Sequence, residues 1–182
     1  MENRNFVLWL TGYSGAGKST ISKVLISQLQ SLNISIIFLD GDELRAVLQN
    51  ENSEVLGFER EARISLAKKY SKLSKLLYDQ GFSIIVSTIS LYSEIHEWNR
   101  INIDRYFEVF LNVSLDERKR RDPKGIYAAF EKGLLNNVAG LDLKSDEPTS
   151  PSLRLNYKQG DTPESQADQI LEGLRNGGYI SW

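Results

Sequence analysis

The chain alternates between short apolar runs and longer segments in which apolar residues recur every three or four positions. The short runs are typical of buried strands, and they occupy residues 6–10, 34–39, 82–88, 106–113 and 153–156. The longer segments predict helices with one buried face over residues 21–32, 59–80, 94–104 and 163–175. Because strands alternate with helices, we expect an α/β fold with a central parallel β-sheet and helices on both faces, formed as one domain by residues 1–182.

The second predicted helix is the longest, and Gly81 is expected to end it. Residues 49–56, which precede it, are polar and are expected to form a surface loop. The stripe of this helix that we expect to face the core consists of Ala62, Leu66, Tyr70, Leu73, Leu76 and Leu77.

A glycine-rich stretch joins the first strand to the first helix and fits the pattern G-x-x-x-x-G-K-[ST]. Its glycines let several backbone N–H groups turn inward around a polyphosphate. Lys18 can reach the outer phosphates, and the Ser19 hydroxyl can bind the Mg²⁺ that accompanies the nucleotide. The alternative is a chance glycine-rich turn, and the strand–loop–helix context argues against it. We therefore predict a nucleoside triphosphate site on the phosphate loop, which comprises Gly12, Tyr13, Ser14, Gly15, Ala16, Gly17, Lys18, Ser19 and Thr20.

Two carboxylates and an arginine follow the second predicted strand, in the sequence Asp40-Gly41-Asp42-Glu43-Leu44-Arg45. Ligands of open α/β sheets bind at the carboxyl ends of strands, so these residues are candidates for chemistry. An aspartate here can instead be only the N-cap of the next helix. We expect that at most one of the two aspartates has this purely structural role. Within the phosphate loop, Tyr13 is expected to cover or pack rather than to catalyse.

Composition narrows the possible partners. The formal net charge is −2, so no basic surface for nucleic acid is expected. The absence of cysteine excludes disulfides and thiolate metal sites, and the single histidine, His96, argues against zinc chemistry. We expect His96 to be a surface or packing residue. No apolar run approaches a membrane span and no signal-peptide layout is present, so we expect a cytoplasmic enzyme with no membrane partner.

Residues 122–151, which we call the lid segment, lack a regular sheet pattern. They begin with Asp122-Pro123-Lys124-Gly125, continue with a short helical piece, and contain Gly140, Pro148 and Pro151. A long irregular segment near a nucleotide site predicts a lid, with a disordered insertion as the alternative. Packing is favoured by the interleaved apolar residues Tyr127, Phe130, Leu134, Leu135, Val138 and Leu141.

Several segments resemble the adenylylsulfate kinase family of P-loop kinases, in the same order along nearly the whole chain. They are residues 9–20, Leu39-Asp40-Gly41-Asp42 with Arg45, Leu56-Gly57-Phe58 with Arg63, and Ile89-Ser90 with Tyr92. The run Arg121-Asp122-Pro123-Lys124-Gly125-Ile126-Tyr127 is similar to the lid signature of that family. The resemblance implies a P-loop kinase fold, a homodimer, and transfer of the γ-phosphate of ATP to the ribose 3′-hydroxyl of adenylyl sulfate.

The resemblance also implies roles for individual residues. Asp42 is the expected base, with Lys18 on the phosphates and Asp40 and Ser19 near the metal, although the assignment between Asp40 and Asp42 stays open. Ser90 matches a serine sometimes regarded as a phosphorylated intermediate, and we favour direct transfer to the hydroxyl. ATP is expected to contact the phosphate loop, Arg121 and Lys124. The small nucleotide substrate is expected to contact Asp42, Arg45, Phe58, Arg63, Leu66, Ile89, Ser90 and Val138.

Departures from the family pattern concentrate on the side of that substrate. Leu66 stands where the family has an asparagine, and Val138 stands where it has a phenylalanine that stacks on adenine. Positions that are usually basic in the lid are Ala128, Ala129, Glu131 and Asn136, and the usual Pro-Tyr-Arg is Leu91-Tyr92-Ser93.

These departures predict retained chemistry with an altered acceptor. A family relative phosphorylates cytidine diphosphoramidate in capsule phosphoramidate synthesis. Its cytosine is smaller than adenine, which would suit the departures at Leu66 and Val138. The alternative is a diverged adenylylsulfate kinase of sulfate assimilation. A regulatory P-loop switch is disfavoured because no N-K-x-D motif is present, and a non-catalytic binding module is disfavoured by the intact Lys18, Asp40, Asp42 and Arg45.

Overall fold

A computed structural model describes residues 5–48 and 59–181. The strands are β1 Val7–Thr11, β2 Ile36–Asp40, β3 Ser83–Thr88, β4 Tyr106–Asn112 and β5 Leu153–Asn156. The helices are α1 Lys18–Ser31, α2 Gly41–Leu48, α3 Arg60–Asp79, α4 Ser93–Asn102, α5 Leu115–Arg121, α6 Ile126–Glu131 and α7 Pro163–Asn176. All five predicted strands are present, and their ends differ from the prediction by at most two residues.

The five strands form one parallel sheet in the order β2-β3-β1-β4-β5. The central strand is β1, whose Thr11 is in register with Thr88 of β3 and Phe110 of β4. Because the strands are parallel, their carboxyl ends meet at one edge of the sheet. This edge carries the phosphate loop after β1 and Asp40 at the end of β2.

Helices cover both faces of the sheet, as predicted. Alternate residues of β1 point to opposite faces, which is the side-chain period of a strand. Leu8 and Leu10 pack in a buried cluster with residues of α1 and α7. Val7 and Trp9 pack in a second cluster with residues of α2, α3 and α4.

The buried stripe of α3 differs from the predicted one. Leu66 and Tyr70 are buried as expected, but Leu76 is 56% exposed. The buried face continues instead through Ser74 and Tyr78, at a spacing of four residues. The Ser74 hydroxyl is accommodated there because it donates a 2.8 Å hydrogen bond to the Tyr70 carbonyl. The expectation for Leu76 was wrong because this residue lies two positions after Ser74, on the far side of the helix.

The lid segment packs unevenly. Tyr127 and Val138 are buried, in agreement with the expectation that apolar residues here pack on something. Leu134 is 76% exposed, so the expectation was wrong for this residue. Gly133, with a φ of +69°, turns the chain after α6, and Leu134 follows that turn at the surface.

Two further expectations concern the loop at residues 49–56 and the position of His96. The predicted surface loop at residues 49–56 lies outside the described residues. His96 is a packing residue rather than a surface residue, because only 2% of it is exposed. Among the helices that the structure describes, none has the length and apolar character needed to cross a membrane.

Candidate active site

The phosphate loop connects β1 to α1, and its glycines take positions that other residues would not tolerate. Gly17 has a φ of +98° directly before α1, where a side chain would strain the backbone. A Cβ atom on Gly12 would lie 3.0 Å from the carbonyl oxygen of Leu111 in β4. The loop therefore stays close to the sheet and presents the N-terminus of α1, which favours an anion.

Lys18 is the first residue of α1, and its ammonium group folds back over the loop. Its Nζ atom donates hydrogen bonds of 2.9 Å to the carbonyl oxygens of Gly12 and Tyr13. Burial lowers the pKa of Lys18 to about 8, and the positive charge of Lys124 acts in the same direction. The loop thus holds a cation that is poorly solvated and suited to pair with phosphate oxygens.

Asp40 makes two hydrogen bonds at the carboxyl end of β2. Its Oδ2 atom accepts a 2.6 Å hydrogen bond from the Ser19 hydroxyl, and its Oδ1 atom accepts one of 2.9 Å from the Asp42 backbone N–H. The second bond is a capping interaction at the start of α2. Asp40 therefore caps α2 and also contacts Ser19 of the phosphate loop, so the structural role does not remove it from the site.

Asp42 has a different environment from Asp40. Its side chain is 71% exposed and forms an ion pair with Lys124 of the lid segment, which is 53% exposed. An ion pair this exposed to water contributes little stability, so an arriving ligand can separate it at small cost. The geometry leaves the Asp42 carboxylate accessible, whereas Asp40 is largely buried.

Arg121, at the end of α5, lies beside the phosphate loop. Its Nη1 atom is 3.4 Å from the carbonyl oxygens of Gly15 and Ala16. Its Nε atom donates a 2.7 Å hydrogen bond to Glu117, and its guanidinium lies 4.3 Å from the ring centroid of Tyr157. These contacts orient the guanidinium beside the loop.

Arg63 of α3 reaches across to the lid segment. Its Nη2 atom donates a 2.9 Å hydrogen bond to the Asn137 carbonyl. Burial lowers the pKa of Arg63, and the charge of Arg45 acts in the same direction. The neighbouring backbone is fixed by Asp142, which accepts hydrogen bonds of 2.8 Å from Asn137 N–H and 2.6 Å from Val138 N–H. The backbone of the lid segment is thereby held at Asn137 and Val138.

Ser90 follows β3 in an uncommon conformation, with a φ of +27°. The residue is 6% exposed, and its Oγ atom lies 2.9 Å from the hydroxyl of Thr88. The preceding residue, Ile89, is held by a hydrogen bond that its carbonyl accepts from the Thr11 hydroxyl. The hydroxyl of Ser90 is therefore engaged by the protein itself.

These residues surround one cavity of about 630 Å³. Phe58 lies outside the described residues, and three members of the phosphate loop, Gly12, Tyr13 and Ala16, do not contribute to the lining. The predicted residues that line the cavity are Ser14, Gly15, Gly17, Lys18, Ser19, Thr20, Asp40, Asp42, Arg45, Arg63, Leu66, Ile89, Ser90, Arg121, Lys124 and Val138.

Several residues of this region were not singled out from the sequence. Asp161, Pro163 and Gln166 bring the start of α7 to the cavity, where no motif marks them. Arg118 is 6% exposed and donates hydrogen bonds of 3.1 Å to the Val113 carbonyl and 2.9 Å to the Tyr127 hydroxyl. Nothing in the sequence distinguishes this buried arginine from the basic residues that follow it.

A parallel sheet with a phosphate loop at its centre, in which Ser19 of the loop contacts Asp40 and Asp42 follows at the start of α2, is the architecture of a P-loop kinase. The family model for adenylylsulphate kinase matches residues 4–156. The chain belongs to the adenylylsulphate kinase family.

Two relatives whose names give different substrates have the same sequence identity to the chain. It is 35% identical to the cytidine diphosphoramidate kinase of Campylobacter jejuni, over 96% of this chain and 99% of the relative. It is also 35% identical to the probable adenylyl-sulfate kinase of Pyrococcus abyssi, over 96% of this chain and 98% of the relative. Among solved structures, the Mycobacterium tuberculosis APS kinase CysC in complex with AMPPNP and APS matches with a TM-score of 0.84 and 33% identity. That match covers 94% of this chain and 98% of the CysC chain.

Proposed function

We propose that this kinase transfers the γ-phosphate of ATP to the ribose 3′-hydroxyl of a small nucleotide, and that its preferred acceptor is cytidine diphosphoramidate. The observation that carries the choice of acceptor is the pair Leu66 and Val138. Both residues are buried, apolar and part of the cavity lining. Adenylyl sulfate is the alternative acceptor, and the two relatives at equal identity favour neither one.

The donor side of the cavity consists of the phosphate loop with Arg121 and Lys124. The loop amides and Lys18 bind the β- and γ-phosphates, so Lys18 exchanges its two carbonyl partners for phosphate oxygens. Arg121 and Lys124 close over ATP from the lid side. Phosphoryl transfer depends mainly on such positioning and charge neutralisation, and this donor side supplies both.

Mg²⁺ fits beside Ser19 and Asp40. The hydroxyl and carboxylate oxygens of these residues lie 2.6 Å apart and are the hard ligands that Mg²⁺ prefers. Mg²⁺ in such sites keeps waters and phosphate oxygens as its other ligands, so a larger protein cluster is not needed. Residues 5–48 and 59–181 contain no group of three or more acidic or histidine side chains arranged to hold a metal. When bound, Mg²⁺ neutralises charge on the nucleotide phosphates.

Asp42 is the base in this proposal. Its carboxylate is accessible, and its ion pair with Lys124 opens when Lys124 turns to the triphosphate. Asp40 is engaged by Ser19 and by the start of α2, which suits a supporting role near the metal. Direct transfer to the acceptor hydroxyl is favoured because the Ser90 hydroxyl is paired with Thr88.

The acceptor side of the cavity consists of Arg45, Arg63, Leu66, Ile89, Ser90 and Val138. Arg45 and Arg63 are placed to grip the phosphate oxygens of the acceptor. Leu66 and Val138 offer apolar contact but neither an aromatic face nor a hydrogen-bonding group. Loss of one stacking contact weakens base binding by about 1–3 kcal/mol, which penalises a purine held mainly by stacking.

We further propose that residues 1–182 form one kinase domain, that residues 122–151 form its lid, and that the enzyme works as a homodimer. The homodimer is what the family resemblance implies, and a cytoplasmic location is what the composition predicts.

The decisive experiment measures ADP release with purified enzyme and a panel of acceptors. The panel contains cytidine diphosphoramidate, adenylyl sulfate, CDP and simple nucleosides. We expect the highest kcat/KM with cytidine diphosphoramidate. High turnover of adenylyl sulfate alone would refute the proposed acceptor while leaving the kinase assignment intact.

Three variants accompany the panel. Lys18→Ala and Asp42→Asn are expected to lose at least about 10²-fold in kcat without a loss of thermal stability. Asp40→Asn is expected to raise the Mg²⁺ concentration required for activity and to lower stability, because this residue also caps α2. Full activity of Asp42→Asn would contradict its role as base.

A further inference from the structure

The side chain of Tyr13 leaves the phosphate loop and packs into the lid segment. A Cβ atom on Gly140 would lie 2.5 Å from Cε1 of the Tyr13 ring, so only glycine permits this approach. Gly140 also has a φ of +80°, which strains other residues. The Arg118 guanidinium lies 4.2 Å from the centroid of the same ring. The ring is thus in contact with the lid segment and with α5.

The hydroxyl end of Tyr13 also meets the lid segment. It neighbours Ser145 and Glu147, and burial, followed by the negative charge of Glu147, raises the pKa of Tyr13. The Tyr13 side chain therefore contacts two parts of the lid segment, one at Gly140 and the other at Ser145 and Glu147.

The next loop residue has its own link to the lid segment. The hydroxyl of Tyr127 in α6 donates a 2.9 Å hydrogen bond to the Ser14 carbonyl and accepts one of 2.9 Å from Arg118. Tyr127 is 1% exposed and Arg118 is 6% exposed, so water competes little for these bonds. Two consecutive residues of the phosphate loop, Tyr13 and Ser14, are thus in direct contact with the lid segment.

The backbone of Tyr13 acts on the donor side at the same time. Its carbonyl accepts one of the two hydrogen bonds that hold the Lys18 ammonium group. The lid segment therefore packs against the same residue whose carbonyl contacts Lys18.

We propose that Tyr13 is a positioning residue that couples the lid segment to the phosphate loop. A triphosphate seated on the loop fixes Tyr13, and Tyr13 holds Gly140 and the surrounding lid segment in place. Because coupling is reciprocal, a lid segment held in place also favours nucleotide binding. The inference rests on the nucleotide-binding part of the proposed function, and couplings of this kind change affinities by about 5–150-fold.

The first test follows hydrogen exchange of lid amides with and without saturating Mg²⁺-AMPPNP. In the wild type, the nucleotide is expected to slow exchange in residues 138–147 at least about fivefold. Tyr13→Phe keeps the ring and is expected to keep this protection, whereas Tyr13→Ala is expected to lose it. Equal protection in Tyr13→Ala, measured at a concentration that saturates this variant, would overturn the proposal.

The second test compares two glycines of the lid segment. Gly140→Ala and Gly133→Ala both place alanine at a positive φ, but a Cβ atom on Gly133 meets nothing within 4 Å. Gly140→Ala is expected to raise the Kd for AMPPNP about tenfold, and Gly133→Ala to change it less than about twofold. In a Tyr13→Ala background, Gly140→Ala is expected to have no further effect on Kd. Equal effects of the two glycine variants in the wild-type background contradict the coupling.

Calorimetry with AMPPNP separates this inference from the proposed function. A wild-type enzyme that fails to bind AMPPNP would refute the donor site and the coupling together. Normal binding, with lid protection retained in Tyr13→Ala, would refute the coupling alone. The glycine pair keeps the test decisive if Tyr13→Ala is unstable, and circular dichroism melts of every variant identify such a case.

Discussion

At the scale of single residues, Lys18 is the clearest example of a side chain whose properties depend on its surroundings. The residue is part of a familiar motif, but its hydrogen bonds to Gly12 and Tyr13 and its low pKa belong to the folded loop. An ammonium group with a pKa of about 8 makes nucleotide binding pH-dependent.

We predict that the affinity for AMPPNP falls as pH rises above about 8. Binding to phosphate favours the charged ammonium form, whereas the free protein holds the pKa of Lys18 at about 8. Above that pH a proton must be taken up on binding, so affinity should fall by up to about tenfold per pH unit. Calorimetry from about pH 7 to about pH 9 measures this dependence.

The neighbouring Lys124 provides the control for this prediction. Its positive charge contributes to the lowered pKa of Lys18, so Lys124→Ala should move the change in affinity to higher pH.

The unfolded chain binds the Lys18 proton up to about pH 10.5, so the wild-type unfolding free energy should rise with pH between about 8 and 10.5. An affinity for AMPPNP that stays constant from about pH 7 to about pH 9 would contradict the proposed titration of Lys18.

The roles of residues near the site could be predicted from the sequence where those residues belong to a continuous motif. The phosphate loop and Asp40-Gly41-Asp42 are continuous motifs, and their strand ends place them together. Tyr13 and Arg118 could not be understood in this way, because their partners lie far along the chain. Contacts of that kind follow from the folded arrangement of the lid segment and not from spacing.

At the scale of elements, a buried polar group joins α4 to β4. Glu108 of β4 is 1% exposed, and its Oε1 atom lies 2.5 Å from Nδ1 of His96 and accepts a 3.2 Å hydrogen bond from Tyr106. Its other carboxylate oxygen pairs with Arg100. Burial raises the pKa of Glu108, but His96 and Arg100 outweigh this effect and lower it below its usual value. This negative charge therefore contributes stability above the usual carboxyl pKa, and the contribution is lost as pH falls.

We predict that Glu108→Gln lowers the free energy of unfolding by about 3 kcal/mol. The change removes the negative charge that faces His96 and Arg100. Because removal of one member of a buried pair leaves the other without its partner, the folded state is destabilised. Urea denaturation provides the measurement. Glu94→Gln is the matched control, because the pair Glu94–Lys68 is about half exposed and should matter by less than about 1 kcal/mol. Similar losses in the two variants would contradict the importance of burial.

The same scale explains where apolar periodicity succeeds and where it fails. Strands with continuous apolar runs, such as β1, are buried on both faces and have no competing interpretation. In α3, the buried face accepts Ser71 and Ser74, so a stripe of leucines no longer marks the core. The lid segment is also more firmly attached than its irregular sequence suggests, since Asp146 pairs with Arg60 at 2.6 Å and donates its N–H to the Leu91 carbonyl.

At the scale of the whole molecule, the cavity has two sides of unequal character. In the proposed assignment, the phosphate loop of the donor side follows from one continuous motif, and Arg121 and Lys124 join it from α5 and the lid segment. The acceptor side is assembled from α2, α3, the segment after β3 and the lid segment, so no short motif determines its shape. Changes in acceptor preference can therefore arise without changes on the donor side.

This separation leads to a prediction for the double variant Leu66→Asn/Val138→Phe. An added aromatic face and an added amide should strengthen binding of a purine, so the kcat/KM ratio of adenylyl sulfate to cytidine diphosphoramidate should rise about tenfold or more. The KM for ATP should change less than about twofold, because neither residue belongs to the donor side. Val138→Leu enlarges the side chain without an aromatic face and should leave the acceptor preference unchanged. If Val138→Leu produced the same shift, cavity volume rather than stacking would be the physical basis of acceptor choice.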